Sequence, residues 1–257
     1  MKKVFSRHLA GLFRMFSFSS RPHTAAVILA GGSGTRMGDG GVAKQWMTLN
    51  GRTLLEHAVA AFEACPHIDE IVVVVRRGEG EKAAGVLRAM GTKKVRAVVS
   101  GGKTRQQSAY RGARRVSKET RYIAIHDAAR PLVLPSDISA VVLAAYADKA
   151  ASLGTPVVDT VKRVNANRFV VETKDRDELW LAATPQVFSY PLYMGAAVGA
   201  WKAGAAVTDD NMLMERIGQR VRMVAAAGPL LKVTTPKDIA YAEALLLSRE
   251  KENRDEN

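Results

Sequence analysis

The chemistry in this sequence begins with a run of small residues, AGGSGTRMG, at positions 30–38, directly after a short apolar segment. Glycines let backbone N–H groups approach a chain of phosphates closely. Arg36 inside the run and Lys44 beyond it add two cations. Two cations beside such a turn suit a nucleoside triphosphate, whose charge must be neutralised while a bond at phosphorus is exchanged. Two other glycine loops are excluded. The dinucleotide fingerprint needs glycine at the third position after Gly34, where Met37 stands. The ATPase phosphate loop needs Gly-Lys-Ser/Thr, which the run lacks.

The elements that must position these residues follow from hydrophobic patterning. AAVILA (25–30), IVVVV (71–75), VRAVV (95–99) and YIAIH (122–126) read as strands buried on both faces. Helical stretches fall near 53–64, 79–90, 104–117 and 136–148. This alternation predicts an α/β fold, a mostly parallel Rossmann-like sheet with helices on both faces. Right-handed crossovers then gather the loops after the strands on one edge, where such sheets bind ligands. After residue 150 the rhythm changes. GTPVVDTVKRV and NRFVVETK alternate apolar and polar residues across Asn165-Ala166-Asn167, which predicts a protruding antiparallel β-arm over about 157–173. A strand in LWLAATPQVF, helices near 189–202 and 209–217, a strand near 221–225 and a helix from Pro236 complete the pattern.

The length of 257 residues corresponds to about 1.7 typical domains. One cysteine, Cys65, excludes a disulfide framework and a cysteine-based zinc cluster. No apolar run approaches the roughly 20 residues that span a bilayer, so no stable membrane anchor is expected. Of the net charge of +13, five positive charges lie in residues 1–23, which contain no acid. That segment reads as a disordered extension, or as an amphipathic targeting or membrane-surface segment of plastid type. The main domain is expected over 24–247, followed by a polar tail, 248–257, as a fraying helix end. The positive balance suits polyanionic partners: nucleic acid, an anionic membrane or phosphorylated small molecules. Nucleic acid is disfavoured: there is no aromatic stacking platform and no basic helix face.

LAGGSGTRMG with AKQW, SGGKTRQQS (100–108), HDAARP (126–131), PVVDTVKR (156–163), DRDELWLAATPQ (175–186) and LKVTTPKD (231–238) occur in one order. Together they resemble the 2-C-methyl-D-erythritol 4-phosphate cytidylyltransferase family of the sugar- and polyol-phosphate nucleotidyltransferases, over about residues 24–247. The resemblance implies a Mg²⁺-dependent transfer from CTP to the polyol phosphate, with pyrophosphate leaving, in the non-mevalonate isoprenoid pathway of the cytoplasm. It places the transition-state cations at Arg36 and Lys44 and the acceptor-positioning cations at Arg176 and Lys232. The nucleotide slot maps onto Ala30, Gly31, Gly32, Gly102 and Ser108. Asp127, Thr160 and Thr184 map onto the acceptor pocket, and Mg²⁺ is expected on the triphosphate rather than in a protein cage. The arm implies a homodimer, with Thr160 and Arg176 serving the other subunit. A ribitol 5-phosphate cytidylyltransferase resembles the blocks less closely and is the alternative. The chain ends soon after the last block, so a fused second catalytic domain is not expected.

His126 reads as a packed strand-end histidine, because a phosphate nucleophile is already deprotonated at neutral pH. Asp209 and Asp210 read as helix caps rather than metal ligands. Three positions depart from the family pattern: Ala43 replaces a proline, Lys103 replaces a small or acidic residue, and Leu230-Leu231 replace a polar pair.

Overall fold

The computed structural model describes residues 21–31 and 43–255 of the chain. Its centre is a seven-stranded sheet. In chain order the strands are β1 (Thr24–Ala30), β4 (Glu70–Val75), β5 (Val95–Ser100), β6 (Tyr122–Asp127), β7 (Ala150–Pro156), β10 (Trp180–Ser189) and β11 (Arg222–Ala225). Two hairpins lie apart from it, β2 (Thr48–Leu49) with β3 (Arg52–Thr53), and β8 (Lys162–Val164) with β9 (Val170–Thr173). The sheet order is β11-β7-β10-β6-β1-β4-β5, and only β10 runs against its neighbours. Every residue of β1 and β4 is buried, which explains their unbroken apolar sequences.

Among the described residues seven α-helices accompany the strands: α1 (Leu54–Ala64), α2 (Gly80–Ala89), α3 (Arg105–Ala113), α4 (Pro135–Asp148), α5 (Tyr190–Lys202), α6 (Asn211–Arg216) and α7 (Lys237–Asp255). Helices α1, α2 and α4 cover one face through Leu55, Phe62, Leu87 and Val141. Helices α3, α5 and α6 cover the other through Ala109, Tyr193, Ala197 and Leu213. Thr53 and Glu56 form a reciprocal capping box that starts α1. At Gly112 an added Cβ would lie 2.5 Å from Val27 Cγ1, so only glycine lets α3 sit this close to β1.

Three local expectations change. The helix expected over 104–117 ends at Ala113, because the Ser117 N–H donates to the buried Glu70 carboxylate at 2.6 Å and draws the chain away. Strand β7 has no β-branched run, yet pairs with both β10 and β11. The arm pairs only over β8 and β9; residues 157–161 before it are irregular. Its loop is held by Asn165, whose Oδ1 accepts from the N–H groups of Asn167 and Phe169, each at 3.0 Å. At the other end, Arg21 forks onto Asp69 at 2.8 and 2.7 Å, so residue 21 is tied to the fold rather than to the expected extension. The remainder of that extension, residues 1–20, lies outside the described residues. No described helix is long and apolar enough to cross a membrane.

Candidate active site

The order β5-β4-β1-β6 reverses direction between β1 and β6, and an α/β sheet opens a crevice at such a point beyond its strand ends. Ala30 and Gly31 leave β1 there, and Asp127 ends β6. Ala30, Gly31, Lys44, Arg76, Gly102, Lys103, Ser108, Asp127 and Lys232 line a single cleft. Seven of the expected site residues are therefore brought together by the fold. Arg36 and Gly32 lie outside the described residues.

The wall formed by β5 and α3 is mostly backbone. The Gly102 N–H donates to Ser108 Oγ at 3.0 Å, and that hydroxyl donates to the Thr104 carbonyl at 2.9 Å. A Cβ on Gly102 would fall 2.4 Å from Gln107 Cβ, so any other residue would open the turn. The start of α3 thus lies at the cleft through Thr104, Arg105 and Ser108, and a helix N-terminus favours anions.

From the same end of α3, Arg105 joins a charged cluster around Asp127. Its Oδ2 accepts from Lys232 Nζ at 2.7 Å and its Oδ1 from Arg105 Nε at 3.0 Å. Arg105 reaches on through Nη1 to Asp210 Oδ2 at 2.5 Å, and Tyr193 donates its hydroxyl to Asp210 Oδ1 at 3.0 Å. These two acids and two bases cancel in charge. Burial alone would raise the pKa of Asp127, but Arg105 and Lys232 outweigh it and hold the carboxyl well below its usual range. Burial likewise opposes the charge on Arg105, and Asp210 and Asp127 overcome it, raising its pKa. Arg105 and Asp210 were not among the expected site residues.

One expectation is corrected by these contacts. Asp210 does not cap α6 with its side chain; it is buried as the counter-charge of Arg105, while Asp209 Oδ1 accepts from the Met212 N–H at 3.2 Å. Thr184 is buried beside Asp127: its Oγ1 accepts from the Asp127 N–H at 3.1 Å and lies 3.0 Å from His126 Nδ1. His126 itself is fully buried against Phe62, and burial lowers its pKa to about 4. It is neutral at pH 7, as a packed histidine should be.

Lys44 opens a one-turn 3₁₀ helix, Lys44–Trp46, and its Nζ donates to the Val233 carbonyl at 3.3 Å, one residue past Lys232. The departures upstream of Lys232 find an explanation here. Leu230 and Leu231 pack against two different apolar clusters, and the Leu230 carbonyl accepts from Arg130 Nη1 at 2.8 Å. Thr160 and Arg176 do not line the cleft of their own chain. Arg176 donates to the Val158 carbonyl at 2.9 Å at the root of the arm, with no ion pair to Asp175 or Asp177 among the described residues. Around them Val158, Phe169 and Val170 are exposed.

A doubly wound sheet with a cationic, backbone-lined cleft at its switch point defines an α/β protein built to hold a phosphorylated ligand. The chain belongs to the family described as IspD: 2-C-methyl-D-erythritol 4-phosphate cytidylyltransferase, whose sequence model matches residues 24–248. A protein of that name from Pelotomaculum thermopropionicum is 41% identical over 227 residues, which is 88% of this chain and 95% of the relative. The crystal structure of 4-diphosphocytidyl-2C-methyl-D-erythritol synthase from Anaerococcus prevotii superposes with a TM-score of 0.79 at 27% identity, covering 88% of this chain and 96% of that one. A 2-C-methyl-D-erythritol 4-phosphate cytidylyltransferase from Thermus thermophilus gives a TM-score of 0.70 at 30% identity over 87% and 98% of the two chains.

Proposed function

We propose that this chain joins CTP to 2-C-methyl-D-erythritol 4-phosphate, giving the CDP-alcohol and pyrophosphate, as a cytoplasmic step of non-mevalonate isoprenoid synthesis. The observation that carries the reading is the meeting of Lys44, Lys232 and Asp127 at one cleft with the Gly31 and Gly102 backbone. A phosphate oxygen of the acceptor attacks the α-phosphorus of CTP; the new O–P bond forms as the bond to the β-phosphate oxygen breaks, and pyrophosphate carries away that electron pair. No general base is required, because the attacking phosphate is already ionised. Catalysis then rests on alignment and charge neutralisation.

In this reading Arg36 and Lys44 stabilise charge at the α-phosphorus. Ala30, Gly31, Gly32, Gly102 and Ser108 form a slot that a pyrimidine fits and a purine overfills. Asp127 meets substrate hydroxyls, braced by Thr184. Lys232 holds the acceptor phosphate with Arg176, which with Thr160 comes from the arm of a second subunit. Among the described residues no group of three His, Cys, Asp or Glu could hold a metal ion, and Asp127 is already paired with two cations. The pairing of Asp127 with two cations favours Mg²⁺ held by the triphosphate over a protein cage. Bound to the nucleotide, Mg²⁺ would neutralise part of the triphosphate charge while the bond at phosphorus is exchanged.

The test is pyrophosphate release from CTP with methylerythritol phosphate and ribitol 5-phosphate as acceptors. A clear kcat/KM preference for the former is expected, and equal or reversed preference would overturn the assignment. The shared site has its own test. Lys44→Ala and Arg176→Ala homodimers should each be nearly inactive, and subunit mixing should restore activity, because one site of a mixed dimer carries neither defect. Absence of recovery after verified exchange would place each site within a single chain.

A further inference from the structure

Lys44 sits on a turn too short to hold its own direction. A three-residue 3₁₀ helix has one or two hydrogen bonds and no long axis to pack. Ala43 before it has φ −57° and ψ 136°, a conformation proline would lock, but no ring locks it here. The turn is instead fastened by side chains from another element.

Glu79 stands at the N-cap of α2, where an acid ordinarily bonds back to its own helix; its side chain makes no such cap bond. Its Oε2 accepts from Gln45 Nε2 at 2.7 Å, and its Oε1 accepts from Trp46 Nε1 at 2.9 Å. The Arg76 N–H, at the end of β4, also donates to Oε2 at 3.3 Å. Gln45 and Trp46 are the two residues after Lys44, and both are buried. One turn along α2, Lys82 Nζ lies 4.2 Å from the centre of the Trp46 ring. Hydrogen bonds to an ionised carboxylate are the stronger kind, and here two of them fix consecutive residues of the turn that carries Lys44.

We propose that Glu79 is the positioning residue for Lys44, clamping its turn to the end of β4 so that the ammonium meets the α-phosphate in the transition state. The proposal rests on the reading of Lys44 given above. Loss of the clamp loosens the aim of Lys44 without removing its charge. The ground-state attraction for CTP survives, whereas the transition-state contact, which demands placement within about 1 Å, does not.

A double-mutant cycle in the full chain tests this, reading kcat and the CTP KM separately with melting temperatures for every variant. Glu79→Ala should lower kcat by roughly 10–100-fold with little change in the CTP KM. In the Lys44→Ala background the same substitution should cost nothing further, since there is no ammonium left to aim. Glu79→Gln, which keeps one acceptor oxygen, should fall between. Should Glu79→Ala not fold, Trp46→Phe removes one of the two donors while keeping the packing, and the same cycle is run with it. A kcat unchanged by loss of the clamp, or a full loss that persists without Lys44, overturns the positioning role. A normal kcat for Lys44→Ala overturns instead the reading of Lys44 on which it stands.

Discussion

Among the described residues Asp210 is the most deeply placed charge near the cleft, with its side chain 1% exposed, and it is linked to the cleft through Arg105. Asp210→Asn is nearly isosteric. The amide can turn its carbonyl toward Arg105 and its NH₂ toward the Tyr193 hydroxyl oxygen, so the hydrogen-bond number is kept and only the charge is lost. Two unit charges about 4 Å apart at an effective dielectric near 20 attract by about 4 kcal/mol. Removing one member of a buried pair costs about 3–5 kcal/mol. Arg105 retains Asp127, so the lower end, about 3 kcal/mol, is expected. For a chain of this size that corresponds to a fall in Tm of roughly 6–12 °C. Urea unfolding of the native chain, Asp210→Asn, Arg105→Gln and the double variant measures it. The double variant should cost less than the sum of the singles, because both remove the same contact. A loss below about 0.5 kcal/mol for Asp210→Asn, the size of an ordinary surface change, would refute the argument that this pair supports the cleft wall.

Stability should also depend on pH through His126. Burial holds its folded pKa at about 4, whereas the unfolded imidazole titrates near 6.5. Between those values the unfolded chain binds a proton that the folded chain refuses, so stability falls as pH falls from about 6.5 to 4. A depression of about 2.5 at about 1.36 kcal/mol each makes this about 3 kcal/mol, and His126→Gln should flatten urea midpoints across that window. An unaltered slope would exclude His126 as the cause. Below pH 4 the loss should continue, no longer through His126 but through Asp127, whose folded pKa is depressed so that the unfolded chain takes up its proton first. Gly102→Ala forces a Cβ into Gln107 and should cost about 1–3 kcal/mol while raising the CTP KM more than it lowers kcat. A normal CTP KM would mean that this turn does not line the nucleotide slot.

The parts of the fold that the sequence announces are those whose environment is uniform. β1, β4 and β6 are covered on both faces, and unbroken apolar runs are the direct consequence. β7 announces nothing: Ala150-Ala151-Ser152 prefers no strand, and its form is imposed by pairing on both sides. Helix α3 stops early for a similar reason, since the Glu70 carboxylate that captures Ser117 lies 47 residues away.

The site divides along the same line. Groups that face the cleft sit at strand ends or directly after them, so Gly31, Gly102 and Asp127 are marked by position, and Lys44 by the glycine run before it. Groups that aim them carry no local mark. Arg105 finds Asp210 across 105 residues, and Glu79 finds Gln45 across 34, so no spacing along the chain encodes either bond. Charge gives these hidden residues their purpose. Arg105 and Lys232 are cancelled by Asp127 and Asp210, so that cluster orients without adding net attraction. The other cations that line the described part of the cleft are Lys44, Arg76 and Lys103. Glu79 stands between the first two of these, bonded to the side chains that follow Lys44 and to the backbone of Arg76. A single carboxylate so placed lowers the total positive charge slightly and fixes where the rest of it acts, which is the trade a transition state rewards over simple affinity.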